Sequence, residues 1–201
     1  MRVTAGKGKL IGVALAVVAA IAATGLALLV SPPGLEAKAV GAACGPHANH
    51  SPSEATTRQL RRALACLINR ERAQRDRRKL RKDAALTRIA RRHTKVMIKQ
   101  ECFKHQCAGE RPLRKRIEAS DYIKGGRYGY GENLGCSETP AGMVAVWMNS
   151  AFHRKNIVDG RFRHFGIGAK NGSPFPRGSD QCRPGKDYMT YTVLFGWRKP
   201  K

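Results

Sequence analysis

Acidic residues are the first scarcity in this chain. Among 201 residues there are 14 Asp and Glu against 38 Lys and Arg, a formal net charge of +24. Such a field draws a protein to polyanions, whether envelope polymers, anionic lipid surfaces or nucleic acid; the plainer alternative is a solvated surface kept soluble by self-repulsion. Cysteine pairs spaced C-x-x-C are missing altogether, so the usual close-spaced zinc cluster has no ligands here. No zinc finger, helix-turn-helix or aromatic-rich strand signature accompanies the charge, which argues against specific nucleic-acid binding. Internal repeats and low-complexity domains are absent as well, and one domain of ordinary size is expected.

What is present begins with a leader. MRVTAGKGKL is short and positive, and Leu10 to Val30 then carries no charge before SPPG breaks the run. This pattern is an export signal, and it places the remainder outside the cytoplasm. Ala37-Lys38-Ala39 fits the small-x-small preference of a signal peptidase, so residues 1–39 are expected to be removed. The uncharged run is also long enough to span a bilayer, and if uncleaved it would be the chain's membrane anchor. Gly41-Ala42-Ala43-Cys44 only faintly resembles a lipoprotein site. Removing residues 1–39 takes away Arg2, Lys7, Lys9, Lys38 and Glu36, which lowers the net charge of +24 by three, to +21.

All six cysteines, Cys44, Cys66, Cys102, Cys107, Cys136 and Cys182, follow the leader. An even count in an exported chain predicts three disulfides, which in principle allow about 15 connectivities. Cys102 and Cys107 are close enough to close a small loop. Cys44 with Cys66 and Cys136 with Cys182 are the expected pairings of the other four, whose connectivity the spacing leaves open.

The stretch 40–56 is small, polar and proline-containing, and is expected to be a flexible lead-in in which His47 and His50 are incidental. A first helix starts near Ser53 or Thr56, with Leu60, Leu64, Leu67 and Ile68 at helical spacing. It runs out in the basic stretch from Arg75 to Asp83. Asp83 caps a second helix whose inward stripe is Leu86, Ile89, Ala90, His93 and Met97, which makes His93 a core histidine with a satisfied partner. A short helix follows around Pro112 to Glu118, then a loop, SDYIKGGRYGYGENLG. Thr139-Pro140 announces a third long helix with Val144, Trp147, Met148 and Ala151 on its apolar face. FGIGA and YMTYTVLFGW are expected strands. In the last, Met189, Tyr191, Val193 and Phe195 point one way and Thr190 and Thr192 the other.

Five stretches then stand in a telling order: Cys102-Phe103-Lys104-His105, Gly131-Glu132-Asn133-Leu134, the run from Trp147 to Ile157, FGIG, and YTVLFG. Together they resemble the CAP superfamily, named for cysteine-rich secretory proteins, antigen 5 and pathogenesis-related 1 proteins, and above all its bacterial secreted branch. The resemblance covers roughly Leu64 to Trp197 and assigns 57–201 to the domain. It implies an α+β fold, a three-layer α-β-α sandwich with a small antiparallel sheet between helical layers. It also implies a cleft lined by His105, Glu132 and His153, which in the family often holds a divalent metal. Many eukaryotic members supply a second glutamate where this chain has Ser150, and bacterial relatives commonly share the serine.

Two neutral imidazoles, His105 and His153, with Glu132 nearby could hold zinc or another divalent cation; the same groups could equally form a structural hydrogen-bond network. His93 and His164 fall outside the matched motifs. Two functions therefore compete. One is a secreted binding or effector module for anionic envelope polymers or lipids, sterol-like lipids among those the resemblance implies. The other is a hydrolase, with Glu132 as general base to a metal-activated water or with Ser150, His153 and Glu132 in a serine mechanism. Serine near a helix end more often caps the next turn.

Overall fold

A computed structural model describes residues 44–123, 125–182 and 187–199. The leader over 1–39 and its cleavage point lie outside these residues. Among the described residues no helix is long and apolar enough to cross a membrane.

Helix α1 spans Thr57–Ala73, and α2 spans Ala84–Lys99. Thr56 accepts a hydrogen bond from the Gln59 N–H while the Gln59 side-chain oxygen accepts one from the Thr56 N–H, a complete capping box. Asp83 caps α2 through the Leu86 N–H. Both starts agree with the sequence. Between them the basic side chains are exposed, as expected, but Leu80 is buried in the core and Arg81–Lys82 forms a two-residue strand, β1, that pairs parallel with β3 (His164–Asn171). Helix α3 covers Leu113–Glu118.

The expected loop over 120–135 is corrected by the structure. Gly125 and Gly126, both at φ near +80°, do turn the chain, but Arg127–Ser137 is an eleven-residue strand, β2. Its glycines do not bend it. Gly129, Gly131 and Gly135 share one face, and there Trp197, Asn156 with Phe162, and Met143 with Trp147 press directly onto the backbone. Side chains at these positions would push those neighbours away, so the glycine-rich composition reflects close packing rather than turning.

The expected third helix is two. Pro140–Asn149 forms α4, capped by Thr139, and Ala151–Val158 forms α5, with an extended residue, Ser150, between them. Ala151 is consequently exposed rather than on an apolar face. Val144 and Trp147 are buried as expected.

The sheet order is β1-β3-β4-β2, where β4 is Met189–Lys199. Its two long pairings are antiparallel. Because β4 is central, both faces of it are covered, and it is buried from Met189 to Gly196. Met189, Tyr191, Val193 and Phe195 join Leu60, Leu64, Leu67, Ile68 and Trp147 in the larger core. On the opposite face Leu194 meets Leu86, Ala90, Ile117 and Tyr122, and Thr94 donates to Thr192 at 2.8 Å. Helices α1, α4 and α5 thus lie on one side of the sheet and α2 and α3 on the other, the three-layer α-β-α sandwich that the resemblance implied.

Three disulfides join Cys44 to Cys66, Cys102 to Cys107 and Cys136 to Cys182, the pairings expected from the sequence. The first anchors the lead-in from Cys44 onward. There a 3₁₀ turn over Pro46–Ala48 buries Ala48, His47 bonds to Gln59, and Ser53 donates to Asp187.

Candidate functional site

Glu132 and Asn133 sit in the middle of β2, opposite Leu194 and Val193 of β4. Side chains alternate along a strand, so the acid faces the α2–α3 layer and the amide faces α5. Strand β2 is the sheet edge, and groups from both helical layers can reach around it. This placement brings the sequence-predicted residues to one region of the molecule.

From the α2–α3 side comes His105, carried on the loop closed by the Cys102–Cys107 disulfide. Its Nδ1 lies 2.7 Å from Glu132 Oε1. The Glu132 side chain is 1% exposed and the imidazole 65%. This hydrogen bond raises the His105 pKa above its ordinary value against the opposing effect of partial burial. Arg116 of α3 approaches Glu132 Oε2 at 3.9 Å, too far for a hydrogen bond, and donates to the His105 carbonyl instead. The second carboxylate oxygen is therefore buried without a hydrogen-bond partner.

From the other side comes α5. Asn133 donates to the His153 carbonyl at 3.0 Å, and Asn156 donates to the Glu132 carbonyl and to Asn133 Oδ1. These bonds fix α5 against the strand edge. The His153 ring is half-buried, its Nδ1 has no hydrogen-bond partner, and burial followed by repulsion from His105 lowers its pKa. A neutral imidazole can accept a proton or coordinate an ion. Among the described residues, no three His, Cys, Asp or Glu side chains converge as a metal-holding group; His105 and Glu132 are bonded to each other. Ser150 sits between α4 and α5, its side chain makes no capping bond, and its main-chain N–H donates to Trp147.

His93 is buried in α2 as expected, with Nδ1 2.8 Å from Glu110 Oε2. Glu110 also accepts from the Cys107 N–H and lies 4.0 Å from Arg116 Nη1. Arg116 thereby links the His93–Glu110 pair to the His105–Glu132 pair. The sequence carried no signal for Arg116 or Glu110, because neither lies in a motif and the link exists only across the fold. Asn156 did stand inside a quoted motif, three residues beyond His153, with no role attached to it.

Comparison with known proteins agrees with this architecture. The model of the cysteine-rich secretory protein family, CAP, matches residues 66–179. Protein YkwD of Bacillus subtilis (strain 168) is 33% identical over 106 residues, which is 51% of this chain and 39% of that protein. An extracellular protein containing an SCP domain from Bacillus anthracis superposes with a TM-score of 0.52 at 22% identity, covering 72% of this chain and 44% of that one. An outer surface protein of Borrelia burgdorferi gives 0.56 at 19% identity, covering 72% of this chain and 97% of that one. The chain thus spans under half the length of YkwD and of the Bacillus anthracis protein, and the two superpositions speak to fold alone. With the family model covering more than half of the chain and the sandwich and strand-edge motifs in place, this chain belongs to the cysteine-rich secretory protein (CAP) family.

Proposed function

We propose that the protein is an extracytoplasmic binding module that engages anionic envelope polymers or lipid surfaces. The observation that carries this reading is the outer face of α2. Its 16 residues include no acid, and Arg88, Arg91, Arg92, Lys95 and Lys99 all face solvent. Arg88 pairs with Asp121, itself exposed, a screened pair that neutralises little of the face. The export signal and three disulfides support a place outside the cytoplasm, as do the extracellular and outer-surface descriptions of the two structural relatives. Sedimentation of the exported protein with phosphatidylglycerol-containing vesicles tests the reading. Binding should fade between about 0.1 M and 1 M salt, as the screening length falls from about 10 Å to about 3 Å. Equal binding to neutral phosphatidylcholine vesicles, or retention at high salt, would overturn it.

A second reading is a divalent-ion or hydrolytic cleft, favoured by the two orphaned buried atoms, Glu132 Oε2 and His153 Nδ1. Zinc or a similar ion would be held by His105 and His153 with Glu132 alongside, and would supply Lewis acidity there. Glu132 would then take or give a proton, its position set by the His105 bond. Calorimetric titration with zinc checks this, since His105→Ala and His153→Ala should each abolish the heat. Turnover lost in Ser150→Ala would point instead to a serine nucleophile.

A further inference from the structure

A groove of about 740 Å³ runs between α2, the loop from Ala108 to Arg111, and α3. It shares Arg116 with the His105–Glu132 cleft, but none of His105, Glu132 or His153 lines it. Its volume falls within the roughly 300–1,000 Å³ of small-molecule sites. Two buried side chains lining it each keep polar atoms without a partner. The His93 side chain is fully buried and the Arg116 side chain is 10% exposed; His93 Nε2 and Arg116 Nε and Nη1 have no hydrogen-bond partner. Buried polar atoms without partners are rare in folded proteins and call for an explanation.

The chemistry of these atoms defines what would satisfy them. His93 Nδ1 faces a carboxylate oxygen, which can only accept, so Nδ1 carries the proton. In the neutral ring Nε2 is then a bare acceptor and seeks a hydroxyl. Arg116 offers donors only and, with Glu110 and Glu132 at 4.0 and 3.9 Å, beyond hydrogen bonding, leaves two of them open to an oxyanion; the exposed Arg92 and Arg111 at the rim, with Arg88, outweigh the lining acids Glu110 and Asp121. A phosphate, with several acceptor oxygens, can serve more than one of these guanidinium groups. Ile89 and Val96 present an apolar strip for a carbon skeleton.

We infer that this groove binds a phosphodiester flanked by hydroxyl groups, with the phosphate on Arg116 and the rim arginines and a hydroxyl on His93 Nε2. This rests on the anionic-partner reading and gives it a place and a ligand class. The same chemistry occurs in a polyol-phosphate wall polymer and in the glycerophosphate headgroup of a lipid.

The test uses the exported protein and soluble glycerophosphoglycerol as probe, with glycerol and inorganic phosphate as controls, read by calorimetry. The diester should bind at least tenfold more tightly than either control. Ala119→Trp, which fills the groove from an exposed position, and Arg111→Ala should each weaken it at least fivefold with an unchanged melting temperature. His93→Gln is a third variant, acceptable only if it melts like the parent. Vesicle binding that the diester competes away and Ala119→Trp weakens identifies a lipid headgroup. Vesicle binding unaffected by either, with diester binding still lost in the variants, identifies a soluble or wall-bound polymer. If the parent binds anionic vesicles but not the diester, or if both surface variants bind the diester as the parent does, the groove is not the site and the surface-charge reading survives. If the parent binds neither vesicles nor diester, both fail.

Discussion

Glu132 Oε1 lies 2.7 Å from His105 Nδ1, joining an acid that is 1% exposed to an imidazole that is 65% exposed. The buried partner contributes most of the desolvation cost, and the bond is what offsets it. Glu132→Gln keeps the shape but removes the charge-assisted bond and leaves the amide nitrogen beside Arg116. A loss of about 1–3 kcal/mol of stability is expected, checked by urea unfolding of parent and variant at pH 7.

Arg72 is a second buried charge, and no motif marks it. It is fully buried in α1 and donates to the carbonyls of Arg78, Ile157, Asp159 and Phe162. Burial pushes its pKa down to about 10, so it stays protonated at neutral pH. Arg72→Met would strand four carbonyls that tie the basic connection and the end of α5 together. The expected cost is on the order of 3 kcal/mol, and Arg72→Lys should recover only part of it because three donors replace five. A denaturation series across the three proteins would show it; equal midpoints would refute the role.

Gly168 of β3 packs against α2 so closely that a Cβ there would come within 3.0 Å of the Ala90 carbonyl and of Thr94 Oγ1. Backbone cannot yield as a flexible side chain does. Gly168→Ala should therefore cost about 3 kcal/mol by forcing sheet and helix apart. Gly160→Ala is the control, since its nearest neighbour is an Arg77 guanidinium 3.6 Å away, and it should melt within a degree or two of the parent.

His164 supplies a pH signature. Its Nδ1 lies 3.0 Å from the Tyr122 hydroxyl, and burial first, then the Arg198 charge, lowers its pKa below the ordinary 6.5. Burial holds the Tyr122 hydroxyl in its protonated form, so that hydroxyl can donate to the ring or accept from it. Between the two pKa values of His164 the unfolded chain binds the proton and the folded one does not. Its contribution is thus complete above about pH 6.5 and is lost as pH falls below that value through the lower folded pKa. His164→Gln should flatten the fall in melting temperature between about pH 7 and pH 5. His153 is shifted the same way and His105 the opposite way, so the difference between variant and parent is the quantity to compare. A parallel pair of profiles would contradict the assignment.

Local chemistry makes much of this protein legible in its amino-acid order. Asp83 and Thr139 cap the helices they were expected to cap, and Thr56, one of the two starts expected for the first, caps it, because a cap is satisfied within three residues of itself. The alternation along Met189–Phe195 placed β4 correctly for the same reason, its period being a property of the strand. Three bridges followed from a small even count in an exported chain, and Cys102–Cys107 from its short spacing.

What the sequence misplaced depends on partners far along the chain. Five glycines around Glu132 and Asn133 resembled a loop because the Trp, Asn, Phe and Met side chains that occupy the space above Gly129, Gly131 and Gly135 come from α4, α5, β4 and the α5–β3 connection. The break at Ser150 divides what periodicity joined, and it lets α5 turn to meet Asn133. Amino-acid order by itself determined the family, the caps and the Cys102–Cys107 bridge, and singled out His105, Glu132 and His153 as candidates. Only the tertiary structure decided that Glu132 is buried in an edge strand, that His105 and α5 reach it from opposite faces, and that Arg116 joins this cleft to the groove under α2. Those relations are made across 11 to 27 residues of separation, where burial and closed packing, not local propensity, select the partner.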